Sequence, residues 1–260
     1  MKLARLYFKM SLKRSLQYRL NFILLCISVA PIHLIQMLFS WFIAKKFNGF
    51  GTWDGWNLIF LYGVLLTSYS IAQVFFRTLR YIENFVISGS LDVYFIKPVP
   101  ILYGVIFNNL SVMEIFSQLL PSVVVLIISC VYNQINWTIS KILVLLGAII
   151  GGAFIQMASF LLIGSVSFWA MRSSNLERIF FAFKDFLNYP LYVYGKKVVA
   201  FLTYILPLAF INYYPALYIL ELENSMDILN FMTIPVSVIL SCIAIFVWKI
   251  SIEHYNSAGS

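Results

Sequence analysis

Two ionisable side chains, His33 and Glu114, stand within long apolar runs. Charge is costly in hydrocarbon, so such residues are the first places to look for chemistry. Glu114 lies about two turns into its run. There a carboxylate could pair with a basic residue near the inner surface, face a polar cavity, or carry a proton. His33 reads as a hydrogen-bonded interior residue. A proton-driven carrier needs a relay of such groups, and the sequence offers none. Other reactive patterns are missing too. Gly195-Lys196-Lys197 lacks the upstream glycine and the following Ser or Thr of a phosphate-binding loop. No Gly-x-Ser-x-Gly nucleophile turn occurs, and His, Asp, Glu and Cys nowhere take metal-ligand spacing. Cys26, Cys130 and Cys242 sit singly in apolar runs and read as packing residues. The sequence therefore predicts no catalytic residue, no metal and no cofactor of its own. If the chain does energised work, the energy enters from elsewhere.

The elements that carry these residues are membrane spans. The chain is 62% hydrophobic and only 11% charged, with mean hydropathy +0.89. Soluble domains carry about 25% charged residues, so this chain cannot hide its apolar surface in a water-soluble core. A spanning helix needs about 20 mainly apolar residues. Long, mainly apolar runs predict six spans near 21–44, 56–76, 101–131, 142–168, 198–220 and 228–249. With the N-terminus inside, 15 of the 18 Lys and Arg residues fall on the inner side, and only Lys45, Lys46 and Lys141 fall outside. That split obeys the positive-inside rule and places both termini in the cytoplasm. The net charge of +8 follows from this topology and implies no nucleic-acid partner. The basic start runs into an apolar stretch of full spanning length, which predicts an anchor and not a cleaved leader.

Three inner segments read as helices that do not span. In 1–20, Lys2, Arg5, Lys9 and Lys13 fall within about 80° of arc, giving a basic amphipathic helix suited to anionic lipid. Segment 174–188, SNLERIFFAFKDFLN, separates Glu177, Arg178, Lys184 and Asp185 from an apolar face and reads as interfacial. Segment 77–97 places Arg77, Arg80, Glu83 and Asn84 on one face. Gly89 then supplies a turn, Ser90 is the expected N-cap, and Asp92 sits in the first turn of a short helix ended by Lys97-Pro98. Such a stub needs a partner to dock against. Within the spans, Gly147 and Gly151, with Gly152 beside them, form a small-residue face for close helix packing, internal or between subunits. Pro207 and Pro215 predict a kinked or broken fifth span.

Several of these residues together resemble a known family. They are Gly89-Ser90-Leu91-Asp92 followed by Lys97-Pro98, the segment PLAFINYYPA at 207–216, the tail YNSAGS at 255–260, and the six-span pattern with a basic amphipathic N-terminal helix. The chain is similar to the ABC-2 type exporter permeases, and most of all to stand-alone bacterial permeases of about its own length. The resemblance implies an all-α integral membrane fold and a place in the bacterial cytoplasmic membrane. It implies a permease that pairs with itself or with a related permease among membrane lipids. ATP and Mg would bind separate cytoplasmic ATPase subunits. Arg77, Arg80, Glu83, Gly89, Ser90, Leu91, Asp92, Lys97 and Pro98 would form the coupling region that docks on the ATPase. Glu114, Pro207, Asn212 and Pro215 are candidates for the translocation path, and 207–227 could include short re-entrant helices. The alternative is an ion-coupled carrier or channel that works without an ATPase.

Overall fold

A computed structural model describes residues 19–46, 51–108, 113–222 and 227–255. The basic helix expected over 1–20 and the end of the tail lie outside the described residues. Every described element is helical. Helix α1, Arg19–Lys46, is followed by α2, Gly55–Phe76, which continues through a 3₁₀ turn, Arg77–Tyr81, into α3, Ile82–Ile87. One turn, α4, Asp92–Phe95, precedes α5, Ile101–Asn108. A π turn, Ile115–Leu119, opens α6, Leu120–Tyr132, and the long α7 runs Ile139–Ala170. Then come α8, Ser174–Asp185, two 3₁₀ turns at Phe186–Asn188 and Leu191–Tyr194, and α9, Lys196–Ala200, with its π continuation Phe201–Ile205. Helices α10, Ala209–Ile219, and α11, Thr233–Ile252, complete the order.

Four of these stretches are long and apolar enough to cross a membrane: Gly55–Ile87, Ile115–Tyr132, Ile139–Ala170 and Thr233–Ile252. A fifth arises if the bent pair Lys196–Ile205 and Ala209–Ile219 counts as one span, and a shorter apolar helix, Cys26–Phe42, lies within α1. Gly55–Ile87 is the hub, with 83% of its apolar window buried against 22–44% for the other three. Its polar residues are compatible with that burial because they bond back along the helix. Thr67 donates to the Gly63 carbonyl at 2.8 Å and Ser70 to the Leu66 carbonyl at 2.7 Å.

The small-residue face of α7 packs within the chain. A methyl group on Gly151 would sit 2.9 Å from Thr233 Cγ2 of α11, and one on Gly147 would sit 3.4 Å from Ile234. On Gly152 it would meet Ser68 of α2 and Ile211 of α10, both at 3.0 Å. Small residues here let three helices approach α7 closely, which supplies the packing that water-driven burial cannot supply in lipid.

The region expected as the fifth span, 198–220, is not one crossing rod. Its two limbs meet at 114° around Leu206–Leu208, and Thr203 Oγ1 lies 2.9 Å from the Tyr214 hydroxyl across the bend. Both limbs open toward the Gly55 end of α2. Near the first limb, a methyl on Gly51 would lie 3.0 Å from the Tyr192 hydroxyl. Beyond the second, Lys141 Nζ pairs with Glu221 at 2.6 Å, beside the start of α7. The stretch that runs the length of α2 is instead 174–194. Glu177 pairs with Arg80 at 2.6 Å, Lys184 Nζ lies 3.8 Å from the Tyr69 ring centre, and Asn212 Nδ2 ties the Leu187 carbonyl to that of Leu61. Counting apolar residues selects 198–220 because 174–194 carries Glu177, Arg178, Lys184 and Asp185.

Candidate functional site at the helical elbow

The end of α2 turns through an elbow, residues 77–98, whose shape follows from a few residues. Gly89 takes φ +67°, a region costly for a side chain, and lets the chain reverse after α3. The Ser88 N–H donates to Asn84 O at 3.0 Å and the Leu91 N–H to Phe85 O at 3.3 Å, closing the helix end. The single turn of α4 then ends before Lys97-Pro98. Ser90 is not the cap expected of it: α4 begins at Asp92, and the Ser90 hydroxyl lies 2.7 Å from that of Ser88. Ser88 is near enough to take that hydroxyl, and a one-turn helix leaves little for a cap to satisfy.

The inward face of the elbow is apolar and fully packed. Leu79, Ile82 and Leu91 are 0% exposed, and Tyr94 sits edge-on to Phe85 with ring centres 6.0 Å apart. The contact with α7 is made at Gly164, where a methyl group would lie 2.6 Å from Ile82 Cδ1 and 3.0 Å from the Leu79 carbonyl. Gly164 lies three turns beyond the Gly147/Gly151/Gly152 face, about 12 residues along α7 from Gly152. Its only sequence signal is a lone glycine in a long apolar helix.

The polar residues of the elbow are engaged within the chain. Arg77 Nη1 donates to Glu114 Oε1 at 2.6 Å, and Glu114, 3% exposed, also accepts from Gln118 Nε2 at 2.6 Å and Ser117 Oγ at 3.4 Å. Of the roles open to Glu114 in the sequence, the structure shows the pairing one. Arg80 binds Glu177 of α8, and its guanidinium stands 4.7 Å from the centre of the Phe181 ring. Glu83 accepts from the Ser173 and Ser174 N–H groups at 2.5 and 2.6 Å and from Ser173 Oγ at 3.2 Å. It thus caps the N-terminus of α8 from 90 residues away. Burial pushes the Glu83 carboxyl up, but those donors outweigh it and hold it below the usual carboxylate range. Asp92 accepts from the Tyr255 hydroxyl at 2.9 Å, and the Tyr255 ring stacks on Phe95 at 5.5 Å. The elbow is therefore fastened to Glu114 just before the π turn that opens α6, to α7, to α8 and to the end of α11.

The exposed side of the elbow carries Asn84, Ser88, Ser90 and Asp92 and, beside them, an apolar knob. Ile96 is 84% exposed, Val93 51%, Ile87 49% and Phe95 48%. Lys97 Nζ covers the Tyr94 ring at 4.7 Å, and Pro98 is exposed beside it. No sequence periodicity marks this knob, because its residues come from α3, α4 and the turn that follows.

The other candidates lie elsewhere. Asn212 is fully buried and bridges backbone carbonyls, as described, and Pro215 is buried within α10. Pro207, at the bend, lines an apolar cavity of about 290 Å³ with Ser159, Ile163, Leu176, Ile179 and Phe183. Glu114 is held at the Arg77 end of α2 and Asn212 near Leu61, so the structure does not gather these residues into one site. Among the described residues, no group of His, Cys, Asp and Glu could hold a metal ion.

A family model described as ABC-2 family transporter protein matches residues 31–259. The chain belongs to this family. No curated protein and no solved structure matches it. As an ABC-2 family member the chain is a multi-pass membrane permease of an ABC transporter, and its hub helix and elbow are parts of a transport machine.

Proposed function

We propose that this ABC-2 permease is the membrane subunit of an ATP-driven exporter, with six spans and both termini cytoplasmic. It works as a pair, with a second copy or a related permease, in the bacterial cytoplasmic membrane. ATP and Mg bind separate ATPase subunits, and the elbow is where those subunits push. The observation that carries this reading is the elbow itself. It presents Ile87, Val93, Phe95 and Ile96 outward while Arg77, Arg80, Glu83 and Asp92 anchor it to the rest of the bundle. Apolar knobs of this kind suit a partner's pocket, and rigid anchoring lets a push there move several helices together.

The alternative, a carrier working without an ATPase, needs an intramembrane carboxylate free to exchange ions or protons. Glu114 is buried and held by Arg77, Gln118 and Ser117, which weighs against that role. The test is Val93→Asp combined with Ile96→Asp. The pair should abolish co-purification of the ATPase and ATP-dependent transport while leaving insertion and thermal stability near wild type. Intact co-purification and transport in that variant would exclude the elbow as the docking site. Transport in ATP-depleted vesicles would exclude the ATP-driven reading altogether.

A further inference from the structure

We propose that the groove between α5 and the end of α11 binds one phospholipid with an ethanolamine headgroup. Its phosphate sits on Lys249, its ammonium on Glu253, and an acyl chain follows the apolar walls below. The proposal needs only that the chain is a membrane permease, and not that an ATPase drives it.

The groove exists because its two walls are held by different neighbours. Helix α5 leaves the elbow after Pro98 and rests on it, since a methyl group on Gly104 would lie 3.0 Å from the Tyr94 ring. Helix α11 rests on α7, where Trp248, 4% exposed, stands edge-on to Phe168 with ring centres 5.3 Å apart. Between the two helices lies an open cavity of about 670 Å³. Ile101 and Ile106 line one side, and Ile245, Trp248 and Ile252 line the other. Lys249 and Glu253 are the charged residues of its lining. Apolar walls give water little to bond, so a groove of this kind takes an apolar occupant.

Depth and charge order select a lipid as that occupant. From Ile245 to Glu253 the α11 axis rises about 12 Å, most of one half of a hydrocarbon core of about 30 Å. The groove therefore spans the leaflet on the elbow side, with apolar walls below and charge at the rim. Lys249 and Glu253 are one turn apart on the same face of α11, and both are exposed. Opposite charges so placed often pair, but Lys before Glu is the weaker order. Neither residue forms an ion pair among the described residues. The rim thus offers a cation and, farther from the membrane centre, an anion.

A phospholipid presents its groups in the complementary order. Moving outward come the acyl chain, then the phosphate, then the headgroup amine, which meet Ile245, Lys249 and Glu253 in turn. The lysine stem lies along the apolar wall and lifts its ammonium to the phosphate. An ethanolamine ammonium donates N–H to the Glu253 carboxylate. A choline headgroup has no N–H to give, and an uncharged glycerol headgroup brings no cation, so both fit the rim less well. Because α5 continues directly from the elbow while Tyr255, two residues past Glu253, holds Asp92 of α4, a lipid lodged here braces the elbow against the last span.

The test titrates the full-length chain, purified alone in mild detergent, with dioleoyl phosphatidylethanolamine, phosphatidylcholine and phosphatidylglycerol, and counts bound lipid by native mass spectrometry. The ethanolamine lipid should bind about fivefold more tightly than either of the others. Glu253→Gln should erase its advantage over the choline lipid, and Lys249→Gln should weaken both alike. Both side chains are exposed, so these variants should keep the wild-type thermal midpoint. Ile245→Trp, which fills the groove, should weaken all three lipids, whereas Ile250→Trp, on α11 but outside the lining, should not. A photo-reactive phenylalanine in place of Ile106 should cross-link to lipid in cells. Equal binding of the three lipids, or an ethanolamine preference that survives Glu253→Gln, would overturn the proposal. Cross-linking from position 106 to protein in place of lipid would do so too. None of these readouts involves an ATPase, so a failure here is distinct from a failure of the ATP-driven reading.

Discussion

Removing one partner of the Arg77–Glu114 pair should have sharply unequal consequences. The Arg77 side chain is 42% exposed and that of Glu114 only 5%. In Glu114→Gln the guanidinium can still turn to water, and a glutamine keeps an acceptor for Gln118 and Ser117, so the expected cost is about 0–1 kcal/mol. In Arg77→Leu a carboxylate is stranded in the bundle, and losing one partner of a buried pair costs about 3–5 kcal/mol. The double variant Arg77→Leu/Glu114→Leu should recover most of the loss, since an apolar pair of similar volume often replaces a buried ion pair without penalty. Unfolding by SDS in mixed micelles measures all three variants. A loss under about 0.5 kcal/mol for Arg77→Leu at pH 7 would refute the reasoning. So would a Glu114→Gln variant worse than Arg77→Leu.

Other expectations follow from the same contacts. Gly164→Val should destabilise by about 1–3 kcal/mol through overpacking against Leu79 and Ile82, and a thermal midpoint equal to wild type would count against that contact. Glu83→Ala should cost about 1 kcal/mol by uncapping α8, seen as faster amide exchange over Ser174–Arg178. Because the folded Glu83 carboxyl lies below its ordinary value, its contribution is complete above that value and fades as the pH drops through the lower, folded one. Glu83→Gln should flatten the stability profile in that acid range and leave it unchanged near neutrality. Tyr255→Phe keeps the stack on Phe95 but loses the bond to Asp92. A partly exposed hydrogen bond of this kind contributes about 0.5 kcal/mol, and a loss several times larger would mean the ring had also moved.

Much of this protein is readable from local chemistry. Low charge and long apolar runs require a membrane environment whatever the fold, since no soluble core could hold that surface. Gly89 and Pro98 mark the elbow because φ and helix continuation are local properties of the chain. The helical character of nearly every stretch is local for the same reason. The partners of the elbow were not legible. Arg77, Arg80 and Glu83 share a face at helical spacing, and nothing in that spacing says whether the face meets another protein or the chain itself. The answer lies in Glu114, Glu177 and Ser173, which are 37, 97 and 90 residues away and come near only when the bundle closes. Hydropathy likewise prefers 198–220 to 174–194, because it sums side chains without knowing which of them find partners. Glu177 is paired by Arg80 and Lys184 rests on Tyr69, so tertiary contacts offset charges that a window average counts in full. Sequence alone determined the solvent, the helices and the corner; the long-range pairing of charges decided which segment runs beside the hub and what the corner holds.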